Sequence, residues 1–365
     1  MTADSLPSHL ARHVSPETQY LRLHEPLALE NGSVLDDVVV AYQTWGERSN
    51  ADARTVLVCH ALTGSADVDA WWPGLIGPGC AFDPAEDYVI CANILGSCYG
   101  TTGPANLKPG SGERYRADFP RISVRDMVEV QRALLDELGI ERIDLVTGPS
   151  LGGMQALEWA TMYPERVGSI VPIGVGGRHS AWCIGVSEAQ RAAIAADPNW
   201  KGGYYSDDAP PELGLSAARM MAVCTYRSWQ SFDERFGRDT HESGFQVQSY
   251  LAHQGNKING RFDANTYVTL THAMHTHDLA RDRGAYPEVL KAIGQPALVV
   301  SVSTDALYPP HEQALLAEHL PNARYATLDS AHGHDGFLIE TSVLGDMIRA
   351  FRESLQPFAL SAAPG

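Results

Sequence analysis

Cysteine is scarce in this 365-residue chain. The six present, Cys59, Cys80, Cys91, Cys98, Cys183 and Cys224, show neither Cys-x-x-Cys spacing nor the density of a disulfide scaffold, so reduced thiols are the expectation. Positive charge is in deficit: 27 Lys and Arg stand against 44 Asp and Glu, a formal net charge of -17. No Lys/Arg-rich run is present, which argues against nucleic-acid binding and leaves any anionic ligand dependent on a local group of cations. Apolar runs long enough to cross a bilayer, ~20 residues, are missing too. Residues 1–20 are polar, with scattered Arg and His, and lack the charged-then-apolar pattern of a secretory leader. Neither an internal repeat nor a low-complexity tract interrupts the chain. A cytoplasmic protein without a membrane partner is expected.

What is present is an ordinary globular composition, 44% hydrophobic and 19% charged, sufficient for a large core. Short apolar runs rich in β-branched residues at 56–59, 88–93, 143–146, 169–173 and 297–302 read as buried parallel strands, with 325–328 a further candidate. Between the second and third runs, Ser123 and Asp126 have capping-box spacing. Met127, Val130, Leu134 and Leu138 then recur at helical intervals before Gly139. Such alternation predicts an α/β fold with a mostly parallel, doubly wound sheet whose ligands bind at the strands' carboxyl ends. From Gly177 to Pro287 the strand rhythm stops, and helical stretches at 186–196 and 215–224 alternate with turns such as Ala209-Pro210-Pro211. The expected organisation is a core at 1–176, a helical lid inserted at 177–287 and the rest of the core at 288–365.

Chemistry concentrates at Thr147-Gly148-Pro149-Ser150-Leu151-Gly152-Gly153, a Gly-x-Ser-x-Gly between an apolar strand and a helix. That context predicts a nucleophile elbow of the α/β-hydrolase fold, which exposes the Ser150 hydroxyl on a strained turn. A serine needs a base to take its proton and an acid to orient the base, and this fold supplies them in the order Ser, acid, His. Asp305 follows the 297–302 strand and His334 lies beyond 325–328. His332 is a rival base and Asp329 a weaker rival acid. The backbone N–H groups of Leu62 and Leu151 are placed to receive an oxyanion, while His60, which precedes the serine, is read as structural.

Several segments carry a closer resemblance. Leu95-Gly96-Ser97-Cys98-Tyr99-Gly100-Thr101-Thr102-Gly103-Pro104, Gly152-Gly153-Met154-Gln155-Ala156-Leu157-Glu158-Trp159-Ala160, Asp197-Pro198-Asn199-Trp200, Gly214-Leu215-Ser216-Ala217-Ala218-Arg219, Thr225-Tyr226-Arg227-Ser228 and Gly333-His334-Asp335 resemble homoserine O-acetyltransferases of the α/β-hydrolase type. The resemblance implies ping-pong acetyl transfer from acetyl-CoA, a co-substrate rather than a resident cofactor, to the side-chain hydroxyl of L-homoserine in methionine biosynthesis. It also implies Arg219 and Asp335 as substrate-binding residues, with Tyr226 a weaker candidate for the pocket wall. A guanidinium suits an α-carboxylate, and a carboxylate suits an α-ammonium. Because CoA is anionic, a few cations are expected near the tunnel mouth, although the sequence does not name them. A homodimer formed through the helical lids is a further implication. The elbow departs from the family pattern, reading Gly-Pro-Ser-Leu where relatives more often have Gly-Gly-Ser-Met.

Competing readings differ in donor, acceptor or class. A succinyl donor needs a cation for its extra carboxylate, yet Asp305 is followed by Ala306-Leu307-Tyr308, which resembles the acetyl pattern. Serine as acceptor differs from homoserine by one methylene, and an esterase shares the same triad. His272-Ala273-Met274-His275-Thr276-His277-Asp278 has the residue types of a metal site but no supporting partners, so a solvated or pocket-edge loop without metal is expected.

Overall fold

Unbroken apolar runs along a strand require cover on both faces, and the central strands have it. The computed structural model describes residues 6–49, 53–242 and 244–355. Its main sheet comprises β1 (Gln19–Arg22), β2 (Val39–Trp45), β3 (Arg54–Cys59), β4 (Asp87–Ala92), β5 (Leu145–Pro149), β6 (Ile170–Ile173), β7 (Ala297–Val302) and β8 (Ala323–Leu328), in the order β1-β2-β4-β3-β5-β6-β7-β8. β1 pairs antiparallel with β2, and β2 with β4; from β4 to β8 every pairing is parallel. Along β3 the side chains alternate between two cores. Leu57 and Cys59 face one that contains Met127, Leu134, Met154 and Trp159, while Val56 and Val58 face one that contains Trp72, Phe82, Leu344 and Phe351. Each fully buried side chain of this kind contributes about 1.5–3 kcal/mol. Replacing Val58 with a charged residue would therefore break the sheet at its centre.

The principal helices are α1 (Val124–Glu137), α2 (Leu151–Met162), α3 (Ala181–Ala195), α4 (Glu212–Tyr226), α5 (Trp229–Phe236), α6 (Gln246–Asn259), α7 (Ala264–His275), α8 (Pro310–His319) and α9 (Thr341–Glu353). α1 begins with the anticipated capping box: the Asp126 amide donates to Ser123 Oγ, and the Ser123 amide donates to Asp126 Oδ2 at 2.7 Å. The helices α3 to α7 all lie between β6 and β7, and α4 packs against both α3 and α6. The two ends of this excursion are pinned together, with the His179 amide donating to His277 O at 2.7 Å and the Leu279 amide to Gly177 O at 3.1 Å. No helix among the described residues is long and apolar enough to cross a membrane.

Three expectations need correction. The strand expected at 143–146 starts at Leu145 and runs on to Pro149, because the Asp144 carboxylate accepts the Thr55 amide at 2.8 Å and the ladder begins after it. Strands β1 and β2 go unanticipated. Nor is residues 272–278 a loop: His272 and His275 belong to α7, which buries Tyr267, Leu270 and Met274 at helical spacing. His277 beyond it is buried, its Nε2–H donating to Gly176 O at 2.9 Å. Among the described residues no group of three or more His, Cys, Asp or Glu side chains is arranged to hold a metal.

Candidate active site

The turn from β5 into α2 places Ser150 at φ 55° and ψ −120°, a conformation a non-glycine residue adopts only under constraint. Two constraints are visible. The Ser150 amide donates to Ile173 O at 2.8 Å, tying the turn to β6. On the other side the backbone of Cys59 crosses so closely that a Cβ at Gly148 or Gly152 would come within 2.2 or 2.0 Å of Cys59 O. Both glycines of the motif are thus sterically required. Pro149 pairs normally with Ile173 in the ladder, so proline before the serine does not disturb the turn.

Asp305 and His334 follow β7 and β8, so all three side chains emerge at the carboxyl ends of parallel strands. His334 Nδ1 lies 2.6 Å from Asp305 Oδ2. The other carboxylate oxygen accepts the amides of Leu307 at 2.8 Å and Tyr308 at 2.9 Å, which fixes the carboxylate's plane. With Nδ1 donating to Asp305, the buried Nε2 of His334 carries the lone pair, and it has no hydrogen-bond partner among the described residues. The ring sits over Gly174, where a Cβ would be 3.4 Å from Cε1. Gly174 directly follows Ile173, the residue whose carbonyl holds Ser150, so imidazole and elbow share one end of β5 and β6. Tyr308 stacks on the ring at 5.2 Å between centroids, and Phe337 meets it edge-on at 5.0 Å.

The rivals point elsewhere. His332 Nδ1 is 3.2 Å from Ser231 Oγ on α5, and the exposed Asp329 accepts from Ser303 Oγ at 2.9 Å. Gly333 holds His334 in place: its amide donates to Thr304 Oγ1 at 2.9 Å, and its φ of 65° suits glycine.

His60 is fully buried after β3, and burial pushes its pKa down to about 4. It accepts the Ile94 amide at Nε2, 3.0 Å away, which leaves Nδ1–H to donate to Ala61 O at 2.8 Å. A neutral His60 therefore braces the Ala61–Leu62 peptide. Among the described residues neither the Leu62 nor the Leu151 amide donates to protein.

The remaining side chains come from the helical excursion. Arg219 on α4 lies over the Tyr226 ring at 5.4 Å, and that ring is 5.9 Å from His334. Burial raises the Tyr226 phenol pKa. Asp335 forms an ion pair with Arg227, whose Nε is 3.0 Å from Oδ2 without the alignment of a hydrogen bond. Burial raises the Asp335 carboxyl above the usual range, opposed by Arg227, Arg219 and His334. Arg227 had no assigned part in the sequence reading; its only signal was its place in the Thr225-Tyr226-Arg227-Ser228 segment. A cavity of about 370 Å³ lies between Arg219 and the loop after β3, lined by Ala61, Thr63, Tyr99, Arg219 and Leu338 among others.

The chain is similar to known proteins over most of its length. Residues 54–340 match the model of the alpha/beta hydrolase fold family. A homoserine O-acetyltransferase of Nostoc punctiforme is 56% identical over 346 residues, spanning 93% of this chain and 97% of that protein. The crystal structure of homoserine O-acetyltransferase from Bacillus anthracis superposes with a TM-score of 0.86 at 25% identity, covering 95% of this chain and 99% of that one. Esterase E22 is also similar, with a TM-score of 0.85 at 27% identity over 92% of this chain and 99% of its own.

Proposed function

Because the chain belongs to the homoserine O-acetyltransferase family of the α/β-hydrolase fold, we propose that it moves an acetyl group from acetyl-CoA to the side-chain hydroxyl of L-homoserine through an acyl-Ser150 intermediate. The observation that carries this reading is the His334–Asp305 pair at the end of β6, beside the elbow, with an unpartnered Nε2. In the first half-reaction His334 Nε2 takes the proton from Ser150 Oγ as that oxygen bonds to the thioester carbonyl carbon. The oxyanion is held by the amides of Leu62 and Leu151. Collapse breaks the C–S bond, and the departing thiolate takes the proton from His334. In the second half-reaction the homoserine hydroxyl gives its proton to Nε2 and attacks the acyl carbonyl; collapse returns that proton to Ser150 and releases O-acetylhomoserine.

Arg219 would hold the amino acid's α-carboxylate and Asp335 its α-ammonium, with Tyr226 forming the wall between them and His334. Arg227 keeps Asp335 ionised until the ammonium arrives. The route needs no resident cofactor or metal, and its product feeds methionine synthesis in the cytoplasm. A homodimer through the helical lid at 177–287 belongs to the same reading: Leu213 and Met221 on α4 and Trp229 on α5 are exposed, at 77%, 42% and 74%. Sedimentation at twice the chain mass, abolished by Trp229→Glu, is the expected result.

The likeness to esterase E22 favours one second reading, hydrolysis of the acyl-enzyme. A thiol-release assay crossing acetyl-CoA and succinyl-CoA with homoserine, serine and water separates these activities. Fast release only with acetyl-CoA and homoserine supports the proposal; equal release in water alone overturns it in favour of an esterase.

A further inference from the structure

The cavity between Arg219 and the loop after β3 has an unusual wall for a chain of net charge -17. It is lined by Arg219, Lys257 and Arg261, with His13, and by no Asp or Glu. Lys257 occupies the last turn of α6 and is exposed; Arg261 lies just beyond that helix. Arg261 is locked in place, its NH1 donating to Thr63 O at 3.0 Å and to Tyr99 OH at 2.9 Å. Arg12 and His13 converge on the same rim through Gly260 O, at 3.1 and 2.9 Å. Among the described residues neither Lys257 nor Arg261 has a carboxylate partner, whereas Arg227, further in, is paired with Asp335. Cations left unneutralised in an acidic protein attract an anion from solution, and carboxylates missing from the same wall leave nothing to compete with it.

The position says which anion. One wall of the cavity is the loop after β3, where Ala61 precedes the Leu62 amide, so a thioester carbonyl directed at Ser150 leaves the rest of its donor in this space. At about 370 Å³ the cavity is near the small end of ligand sites, ~300–1,000 Å³. It takes a slender arm rather than a whole nucleotide. We infer that Lys257 and Arg261 bind the diphosphate of the acyl-thioester donor at the mouth of this cavity, while Arg219, deeper in, is kept for the acceptor. The inference rests on the acetyl-CoA reading above and adds the residues that recognise the donor's charge. An ammonium and a guanidinium about a diphosphate form charge-assisted contacts, stronger than neutral ones and weakened by salt.

The test compares three donors: acetyl-CoA, acetyl-dephospho-CoA, which lacks the 3′-phosphate and keeps the diphosphate, and S-acetyl-N-acetylcysteamine, which has no phosphate. In Lys257→Glu, kcat/KM for the first two donors should fall roughly tenfold or more relative to the third, the loss expected when one charge-assisted contact is replaced by repulsion. Lys257→Arg should restore most of the ratio. Arg261→Gln is a second probe, but its contacts to Thr63 and Tyr99 make Lys257 the cleaner one. An equal fall for all three donors, or no fall, overturns the site; a fall confined to acetyl-CoA overturns the diphosphate assignment in favour of the 3′-phosphate. Failure of the unmodified enzyme to release thiol from acetyl-CoA is a different result and overturns the donor reading itself.

Discussion

The backbone of Gly333 lies against that of Arg227 so closely that a Cβ on Gly333 would meet Arg227 C at 2.8 Å and Ser228 N at 2.7 Å. The end of α4 thus rests directly on the turn that carries His334 and Asp335, and Ser228 Oγ donates to Ala331 O across the same seam. Acceptor residues and base are held by one contact.

Gly333→Ala is therefore expected to damage both. The left-handed φ and the backbone overlap together should cost about 1–3 kcal/mol of stability. Thermal denaturation reads that loss, and both half-reactions should slow. A variant with normal melting and normal turnover would show that the seam yields freely.

Ser150→Ala should abolish acetyl transfer while the protein stays folded. Ser150→Gly is the more telling partner. It removes the hydroxyl as well, but glycine occupies φ 55° without strain, so its melting temperature should exceed that of the alanine variant by the equivalent of about 1 kcal/mol. Residual turnover in either purified variant would end the nucleophile assignment.

Asp305→Asn should leave the loop in place, because the side-chain carbonyl can still accept the amides of Leu307 and Tyr308. Its NH2 group then faces His334 Nδ1 and favours the tautomer with the proton on Nε2, the wrong nitrogen for a base. A fall in kcat of roughly 10⁴-fold, with the far-ultraviolet circular dichroism unchanged, is expected.

How far these residues were readable in the sequence depended on whether their chemistry is local. Ser150 could be found because its turn needs glycines two residues away on each side, and Asp305 and His334 because each follows a strand with a strong apolar run. Gln246–Asn259 could not, since α6 buries only Gly255 and Ile258 and so presents few core positions to recognise. The edge strand β1 buries none of its residues fully and shows no apolar run, whereas β2, paired on both sides, carries the buried run Val39-Val40-Ala41-Tyr42, which was legible in the sequence but went unanticipated. The Arg227–Asp335 pair and the convergence of Lys257 and Arg261 on the cavity depend on how the helices between β6 and β7 fold back over the sheet, which no spacing along the chain encodes.

Arg219→Ala should separate the two half-reactions. Homoserine loses the partner of its carboxylate, so its KM should rise by about 10–100-fold, the range for one charge-assisted contact. The burst of thiol released on acylation should change far less. Equal losses in burst and steady state would instead place Arg219 in donor binding or in support of Tyr226.

The pH dependence follows from Asp335. Burial raises its carboxyl above the usual range, and Arg227, Arg219 and His334 only partly offset this. Homoserine's ammonium requires the ionised form, so its KM should be flat at high pH and rise as pH falls through the raised pKa, sooner than an ordinary carboxylate at ~3.9 would allow. Stability runs the other way. A carboxyl whose folded pKa lies above its unfolded value favours the folded state most below the unfolded pKa, and that contribution is lost as pH rises through the folded pKa. Asp335→Asn should therefore weaken homoserine binding, flatten the acid limb of KM and make the protein relatively more stable at neutral pH. If the acid limb persists unchanged in Asp335→Asn, the titrating group is another, and the ammonium must be held elsewhere.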